Sequence, residues 1–147
     1  MILYLDTSSL VKLYVEEPGS GHVRRLVEAA EIVAASVLAY PEARAAFARR
    51  RRERSLTLAD HRRAKEALDA DWPRVLALEV AAPLATTAGD LAERHSLRGF
   101  DAVHLASYMT IAREFPDEAV RFSSADKALE RAARRAARTP RRRLPRR

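Results

Sequence analysis

An aspartate ends the first apolar run of the chain, where a buried strand gains nothing from a negative charge. The run is Ile-Leu-Tyr-Leu from Ile2, and Asp6 follows it directly. Three more carboxylates stand shortly after other predicted strands or loops, so we expect all four to reach the same edge of one sheet. These three are Glu42, Asp101 and Asp126.

Four carboxylates at one edge would repel one another unless a cation lies among them. Two unit charges about 4 Å apart near a protein surface repel by roughly 4 kcal/mol. A divalent cation removes this repulsion, and a chain without cysteine offers the oxygen ligands that Mg²⁺ and Mn²⁺ prefer. A hydrated dication of this type supports phosphodiester hydrolysis. The acids therefore predict a Mg²⁺ or Mn²⁺ site with nuclease chemistry.

Some of these acids also have a purely structural interpretation. Asp101 and Asp126 are good residues to cap a helix N-terminus, a role worth roughly 1 kcal/mol each. Asp6 is harder to explain in this way, because Thr7 or Ser8 could supply the cap of the first helix. The joint placement of the acids, rather than any one of them, favours a site.

Zinc is a poorer candidate than magnesium or manganese. None of the four histidines has the spacing of an HExxH motif. His104 lies three residues after Asp101 on one predicted helix, so it could face the site as a ligand or base. Packing against a neighbour is the alternative for such a histidine.

Short apolar runs alternate with longer helical segments along the chain. This alternation predicts an α/β protein, a three-layer sandwich in which helices cover both faces of a mostly parallel sheet of four to five short strands. Ligands bind such sheets at the carboxyl ends of the strands, where the strand order reverses. The predicted strands are 2–5, 32–35, 75–80 and 120–123, and the predicted helices are 9–15, 20–29, 36–54, 57–72, 83–95, 102–113 and 126–138.

The helix that carries Glu42 has an unusual start. We expect Ser36 to cap it, but Pro41 has no amide hydrogen and therefore predicts a kink or a late start near Tyr40. Either change would alter the direction of the Glu42 carboxylate. Taken alone, Glu42 could also be an ordinary solvated acid of a helix.

The acids lie in four blocks that together resemble a known family. The blocks read YLDTSSLVKLYVEEPGS, ASVLAYPEARAAFAR, LRGFDAVHLA and RFSSADKAL, in order from near Ile2 to Leu129. They resemble the four acidic blocks of PIN-domain nucleases, in the VapC toxin branch of toxin–antitoxin systems. The resemblance implies a PIN-like fold, an endoribonuclease that depends on Mg²⁺ or Mn²⁺, a homodimer and a small antitoxin that blocks the site.

The resemblance also implies roles for individual residues. It assigns all four acids to catalysis and makes three of them, Asp6, Asp101 and Asp126, metal ligands. Two small polar residues match supporting positions of the family, Ser8 beside the first acid and Ser124 ahead of the last. Pro41 departs from the pattern because it directly precedes Glu42.

Positive charge is concentrated at the end of the chain. The net charge is +7 over 147 residues, but 131–147 holds nine arginines and no acid, so the remainder carries −2. We predict a nuclease domain at 1–138 and a basic, flexible tail at 139–147. A block of this kind forms a solvated arm or attracts a polyanion, and both interpretations stay open.

Further arginines are candidates for gripping RNA near the acids. A run of consecutive arginines on a helix must spread around its axis, so at most two members of 49–52 can face RNA together. The alternative for this run is a solvated helix face. The candidates are Arg44, Arg49 and Arg52.

The composition also bears on the compartment. A chain without cysteine is typical of a reducing compartment, so we expect a cytoplasmic protein. The first apolar run is only four residues long, too short for the apolar part of a signal peptide or a membrane span. We therefore expect no association with membranes.

Three other interpretations of the first block remain. A haloacid-dehalogenase-type phosphatase needs a second aspartate two residues after the first, where this chain has Ser8. A receiver domain needs paired acids after its first strand, and Asp6 stands alone. The third alternative is a catalytically inactive PIN-like module that binds RNA or a protein partner. An assay of RNA cleavage with EDTA as control separates these classes.

Overall fold

A computed structural model describes residues 1–138, and its centre is a sheet of four short strands. These strands occupy the four segments in which the sequence predicts strands, although β3 is shorter than expected. The strands are β1 Ile2–Leu5, β2 Ile32–Ser36, β3 Leu76–Leu78 and β4 Val120–Ser123.

All the strand pairs of this sheet are parallel, in the order β3-β2-β1-β4. The chain moves outward from β1 through β2 to β3, and then returns to the opposite side of β1 to form β4. The strand order therefore reverses beside β1, where Leu5 is paired with Ser123. The residues that follow these two strands lie at the crevice where parallel sheets bind ligands.

Helices cover both faces of the sheet, which confirms the predicted α/β sandwich. A turn of 3-10 helix at Trp72–Arg74 leads into β3. The α-helices are α1 Thr7–Val11, α2 Ser20–Glu28, α3 Ala39–Arg52, α4 Leu58–Asp71, α5 Ala82–His95, α6 Gly99–Glu114 and α7 Lys127–Arg138.

The unbroken apolar run of β1 supplies both hydrophobic cores. Side chains alternate between the faces of a strand, so Ile2 and Tyr4 pack in the core formed with α5, α6 and α7. Leu3 and Leu5 pack on the other face, in the core formed with α1 to α4. All four are at most 1% exposed. The run therefore fixes β1 in the middle of the molecule and places the residue after it at the reversal of strand order.

Three predicted helix caps are wrong, that of α3 by Ser36 and two that concern the site acids. Asp6 itself caps α1, because its carboxylate accepts a hydrogen bond from the Ser9 amide. Asp101 is not a cap: α6 begins at Gly99 after Arg98, so Asp101 lies inside the first turn. A carboxylate there still interacts favourably with the positive end of the helix dipole.

The helix α3 starts later than its sequence suggests. It begins at Ala39, and Ser36 instead accepts a hydrogen bond from the Leu38 amide. Pro41 therefore falls in the first turn, where a helix needs no amide donor. The next residue, Glu42, donates its amide to the Leu38 carbonyl at 3.2 Å, so the helical hydrogen bonds continue directly after the proline. The late start near Tyr40 is confirmed.

The predicted tail at 139–147 lies outside the described residues. Within the part of the chain that the structure describes, no helix has the length and apolar character needed to cross a bilayer.

Candidate active site

The Asp6 carboxylate is buried at the end of β1 and is held by hydrogen bonds from both sides. Ser8 Oγ donates to its two oxygens at 2.7 and 2.9 Å, the Ser9 amide donates at 2.9 Å, and Ser124 Oγ donates at 2.6 Å. Burial raises the pKa of Asp6, and these hydrogen bonds oppose part of that rise. The carboxylate is therefore fixed in one orientation.

The two serines join the loop after β4 to the end of β1. Ser8 Oγ also accepts a hydrogen bond from the Ala125 amide at 2.8 Å. Ser124 Oγ accepts one from the Asp126 amide at 2.9 Å while donating to Asp6. Residues more than a hundred positions apart in the sequence thus form one hydrogen-bonded unit at the reversal of strand order.

Glu42 reaches the same edge from the first turn of α3. Its Oε2 accepts hydrogen bonds from Thr7 Oγ1 at 2.5 Å and from His104 Nε2 at 3.0 Å. Partial burial raises the pKa of Glu42, but the hydrogen bonds from His104 and Thr7 and the nearby His104 and Arg98 outweigh it and lower the pKa overall. Glu42 is therefore ionised at neutral pH.

His104 is buried on α6 between a tyrosine and the Glu42 carboxylate. Its Nδ1 lies 3.1 Å from the Tyr4 hydroxyl and its Nε2 lies 3.0 Å from Glu42. An ionised carboxylate only accepts hydrogen bonds, so Nε2 must carry the hydrogen. In a neutral ring, Nδ1 then accepts from Tyr4. The sequence left open whether His104 is a ligand or base of the site or packs against a neighbour. In the structure it is buried and packs between Tyr4 and Glu42.

Asp101 and Asp126 approach the edge from the starts of α6 and α7. Arg98 Nε donates to Asp101 Oδ2 at 2.8 Å, and the Asp101 side chain is 19% exposed. Asp126 caps α7 by accepting from the Ala128 and Leu129 amides. Asp101, and to a lesser degree Asp126 and Glu42, raise the pKa of the Arg98 guanidinium, because a nearby negative charge favours its charged form.

The acids suit a hard dication chemically, since each offers carboxylate oxygen. Among residues 1–138, however, no three acidic or histidine side chains lie close enough together to form a ready metal-binding group. Arg98 provides the positive charge near Asp101, Asp126 and Glu42. The site therefore has the ligands for Mg²⁺ or Mn²⁺ without presenting them as a preassembled cluster.

Comparison with known proteins establishes the family of this fold. The family profile described as "PIN domain" matches residues 3–135, which is most of the chain. This chain belongs to the PIN-domain family. The family predicted from the four acidic blocks is thereby confirmed, and the matched region contains all four candidate acids.

Two curated relatives show how similar this PIN domain is to characterised proteins. Ribonuclease VapC45 and Ribonuclease VapC49, from two strains of Mycobacterium tuberculosis, are each 38% identical to the chain over 110 residues. The alignment covers 75% of this chain and 76% of each relative.

A solved structure confirms the fold independently. The crystal structure of FitAcB from Neisseria gonorrhoeae superposes with a TM-score of 0.64 at 20% sequence identity. The superposition covers 91% of this PIN domain and 94% of the other chain.

Two residues of the site have contacts that their positions in the sequence do not reveal. Thr7 is a suitable helix cap by its sequence, yet its hydroxyl binds Glu42. Arg98 has no predicted role, yet it pairs with Asp101. The sequence offers two signals, a hydroxyl next to Asp6 and a cation three residues before Asp101. Neither spacing shows which side chain the residue contacts.

The candidate arginines of α3 differ in their surroundings. Arg44 Nη1 donates to the Tyr40 hydroxyl at 2.7 Å and lies 3.5 Å from Asp69 of α4, so its side chain is turned toward α4. Residues two apart on a helix face nearly opposite sides, and Arg44 therefore points away from Glu42. Arg49 and Arg52 are both exposed.

Proposed function

We propose that this PIN domain is a metal-dependent endoribonuclease that hydrolyses RNA phosphodiesters with Mg²⁺ or Mn²⁺. The observation that supports the proposal is that Asp6 lies at the reversal of strand order, held by Ser124 from the loop after β4, while Glu42 binds Thr7, the next residue. Its two curated relatives are named ribonucleases. Asp6, Asp101 and Asp126 would hold the ion.

A bound dication supplies activation of water and stabilisation of charge on the phosphorus and the departing 3′-oxygen. Glu42 is ionised and held by Thr7 and His104. It accepts the proton of the water that attacks the phosphorus, while the bond from phosphorus to the 3′-oxygen breaks. Ser8 and Ser124 keep Asp6 oriented. Asp101 is paired with Arg98, and it would hold the ion in place of this pair.

The partners follow from the same proposal. Arg49 and Arg52 hold the RNA backbone, and Arg44 contributes if it leaves Asp69. The chain acts in the cytoplasm as a homodimer, as the toxin of a toxin–antitoxin pair, and a small antitoxin protein blocks the site. The resemblance to VapC toxins is the basis for these partners.

The test compares RNA cleavage by the wild-type chain with that by Asp6→Asn and Asp101→Asn. Both substitutions replace a charged ligand with a neutral group of nearly the same shape, so we expect cleavage to fall at least about 100-fold. Cleavage is followed on labelled RNA with Mg²⁺, with Mn²⁺ and with EDTA, which should abolish it. Thermal unfolding of each variant checks that the fold is retained.

The matched control is Asp90→Asn, which changes an exposed aspartate of α5 and should leave cleavage unchanged. Equal cleavage by the wild type and both site variants would refute the assignment. A wild-type chain that binds RNA without cutting it would instead identify the inactive binding module. Growth arrest on expression, relieved by Asp6→Asn, would support the role as a toxin, and arrest that persists would contradict it.

A further inference from the structure

One large apolar side chain stands in solvent beside the candidate acids. Phe100 is 61% exposed, more than the other two exposed large hydrophobic residues, Ile32 at 38% and Leu58 at 49%. Its side chain is part of neither hydrophobic core. No aromatic ring within residues 1–138 is paired with it. Exposure of a single apolar residue is common, so its location must carry the argument.

That location is the first turn of α6, directly before Asp101. Consecutive Cα atoms are about 3.8 Å apart, so the ring is attached next to a carboxylate that the proposed reaction requires. Space is also open at Gly99, on the other side of Phe100 in the sequence, because a Cβ atom added there would meet no atom of the surrounding protein within 4 Å. The exposed ring is therefore accessible to a ligand that reaches this turn.

The neighbours of Phe100 define the chemistry of that ligand. Arg98, two residues earlier, is 82% exposed and offers a positive charge. An exposed aromatic ring and an exposed guanidinium at the same helix start suit an unpaired nucleotide, whose base stacks on the ring and whose phosphate is attracted to the cation. A base inside a duplex is already stacked between its neighbours and would not be free to cover Phe100.

We propose that Phe100 is a stacking platform for an unpaired base next to the phosphodiester that is cut. This inference rests on the proposed ribonuclease function. A protein partner is the less favoured ligand, because two of the three positions that flank Phe100 in the sequence are charged. These positions are Arg98, Gly99 and Asp101.

The experiment measures binding of the full-length chain to a short fluorescent RNA by anisotropy, in EDTA so that no cleavage occurs. The same RNA is tested single-stranded and annealed to its complement. Loss of one stacked base should weaken binding of Phe100→Ala to the single strand about 5- to 100-fold. Phe100→Trp, which keeps a stacking surface, should bind at least as well as the wild type. Binding to the duplex should be the same in all variants.

Two controls separate stacking from other effects. Leu58→Ala removes another exposed apolar side chain, on α4, and should leave RNA binding unchanged. An RNA with 2-aminopurine near the cleavage position should lose fluorescence on binding the wild type and less on binding Phe100→Ala. Because the Phe100 ring is exposed, its removal should not change the thermal unfolding temperature.

The outcomes distinguish this inference from the proposed function. If the wild type neither binds nor cuts RNA, both fail together. If the wild type is active and Phe100→Ala binds and cuts single-stranded RNA equally well, only the stacking platform is refuted, and the ring is then left for a protein partner. Weaker binding of Phe100→Ala to single strand and duplex alike would also overturn the assignment to unpaired bases.

Discussion

Glu42 shows how individual residues prepare this site. Its carboxylate is held by Thr7, the first residue of α1, and by His104, from α6. The hydroxyl of buried Tyr4 contacts the other ring nitrogen of His104 and so helps to fix which nitrogen carries the hydrogen. The hydrogen bonds from Tyr4 to His104 and from His104 to Glu42 therefore orient the Glu42 carboxylate.

The first prediction concerns His104. His104→Phe keeps a ring but removes both nitrogens, so Glu42 loses a donor and we expect kcat for RNA cleavage to fall about 10- to 100-fold, as for other residues that orient ligands. KM should change little, because the histidine is buried and does not meet the RNA. His104→Gln, which keeps an amide donor, should recover part of the rate in steady-state assays.

His61→Gln on α4 is the matched control and should have wild-type kinetics. An unchanged kcat in His104→Phe would show that Glu42 does not depend on the histidine. A loss that His104→Gln does not relieve, accompanied by a lower unfolding temperature, would indicate a structural role alone.

At the scale of elements, one glutamate links the segment after α1 to α3. Glu17 accepts a hydrogen bond from Lys12 Nζ at 2.7 Å and also pairs with Arg50. Its side chain is 18% exposed. Burial raises the pKa of Glu17, but the two cations outweigh it and lower the pKa overall. Arg50, one of the four consecutive arginines, is thus used to hold the fold.

The second prediction is that Glu17→Gln destabilises the fold by about 1–2 kcal/mol at neutral pH, between the values for exposed and buried ion pairs. The folded-state pKa is lowered, so the stabilisation is complete above the ordinary value of 4.5 and is lost as the pH falls through the folded pKa. Urea unfolding near neutral pH and again at strongly acidic pH measures the difference. Glu16→Gln removes the acid of the Glu16–Arg24 ion pair. Because Glu16 is 73% exposed, this change should lower the free energy of unfolding by less than about 0.5 kcal/mol. If the free energy of unfolding of Glu17→Gln differed from that of the wild type by the same amount at both pH values, this explanation would be contradicted.

At the scale of the whole molecule, charge is distributed unevenly. The described residues 1–138 carry a net charge of +2, because five of the arginines lie in 139–147 and account for the rest of the +7. Attraction to a polyanion is a long-range effect that depends on this total and weakens with salt. The domain alone should therefore bind RNA with a weaker dependence on salt than the full chain.

The third prediction tests this with a chain that ends at Arg138. Each phosphate neutralised on a single strand contributes about 0.7 to the slope of log affinity against log salt, so removing five arginines should reduce the slope by up to about 3.5. Affinity should fall most at low salt, as measured by anisotropy across a salt series. An identical slope for both chains would leave 139–147 as a solvated segment without a part in RNA binding.

The sequence by itself determined the strands, their alternation with helices and the family. These features follow from local information: an apolar run such as 2–5 is buried wherever it lies, and a parallel sheet brings the residues after its strands to one edge. The approximate positions of Asp6, Glu42, Asp101 and Asp126 could therefore be predicted. The late start of α3 was also foreseeable, because Pro41 constrains the backbone at that point.

Only the tertiary structure decided which side chains meet. Thr7 and Glu42 are 35 residues apart, and Glu42 and His104 are 62 apart. Such contacts depend on how helices from both faces pack against the sheet, which no local pattern encodes. The same is true of Ser124, which reaches Asp6 only because β4 pairs with β1. The sequence thus determined which chemical groups follow the strands at the edge of the sheet. Packing across the sheet determined which side chains these groups contact.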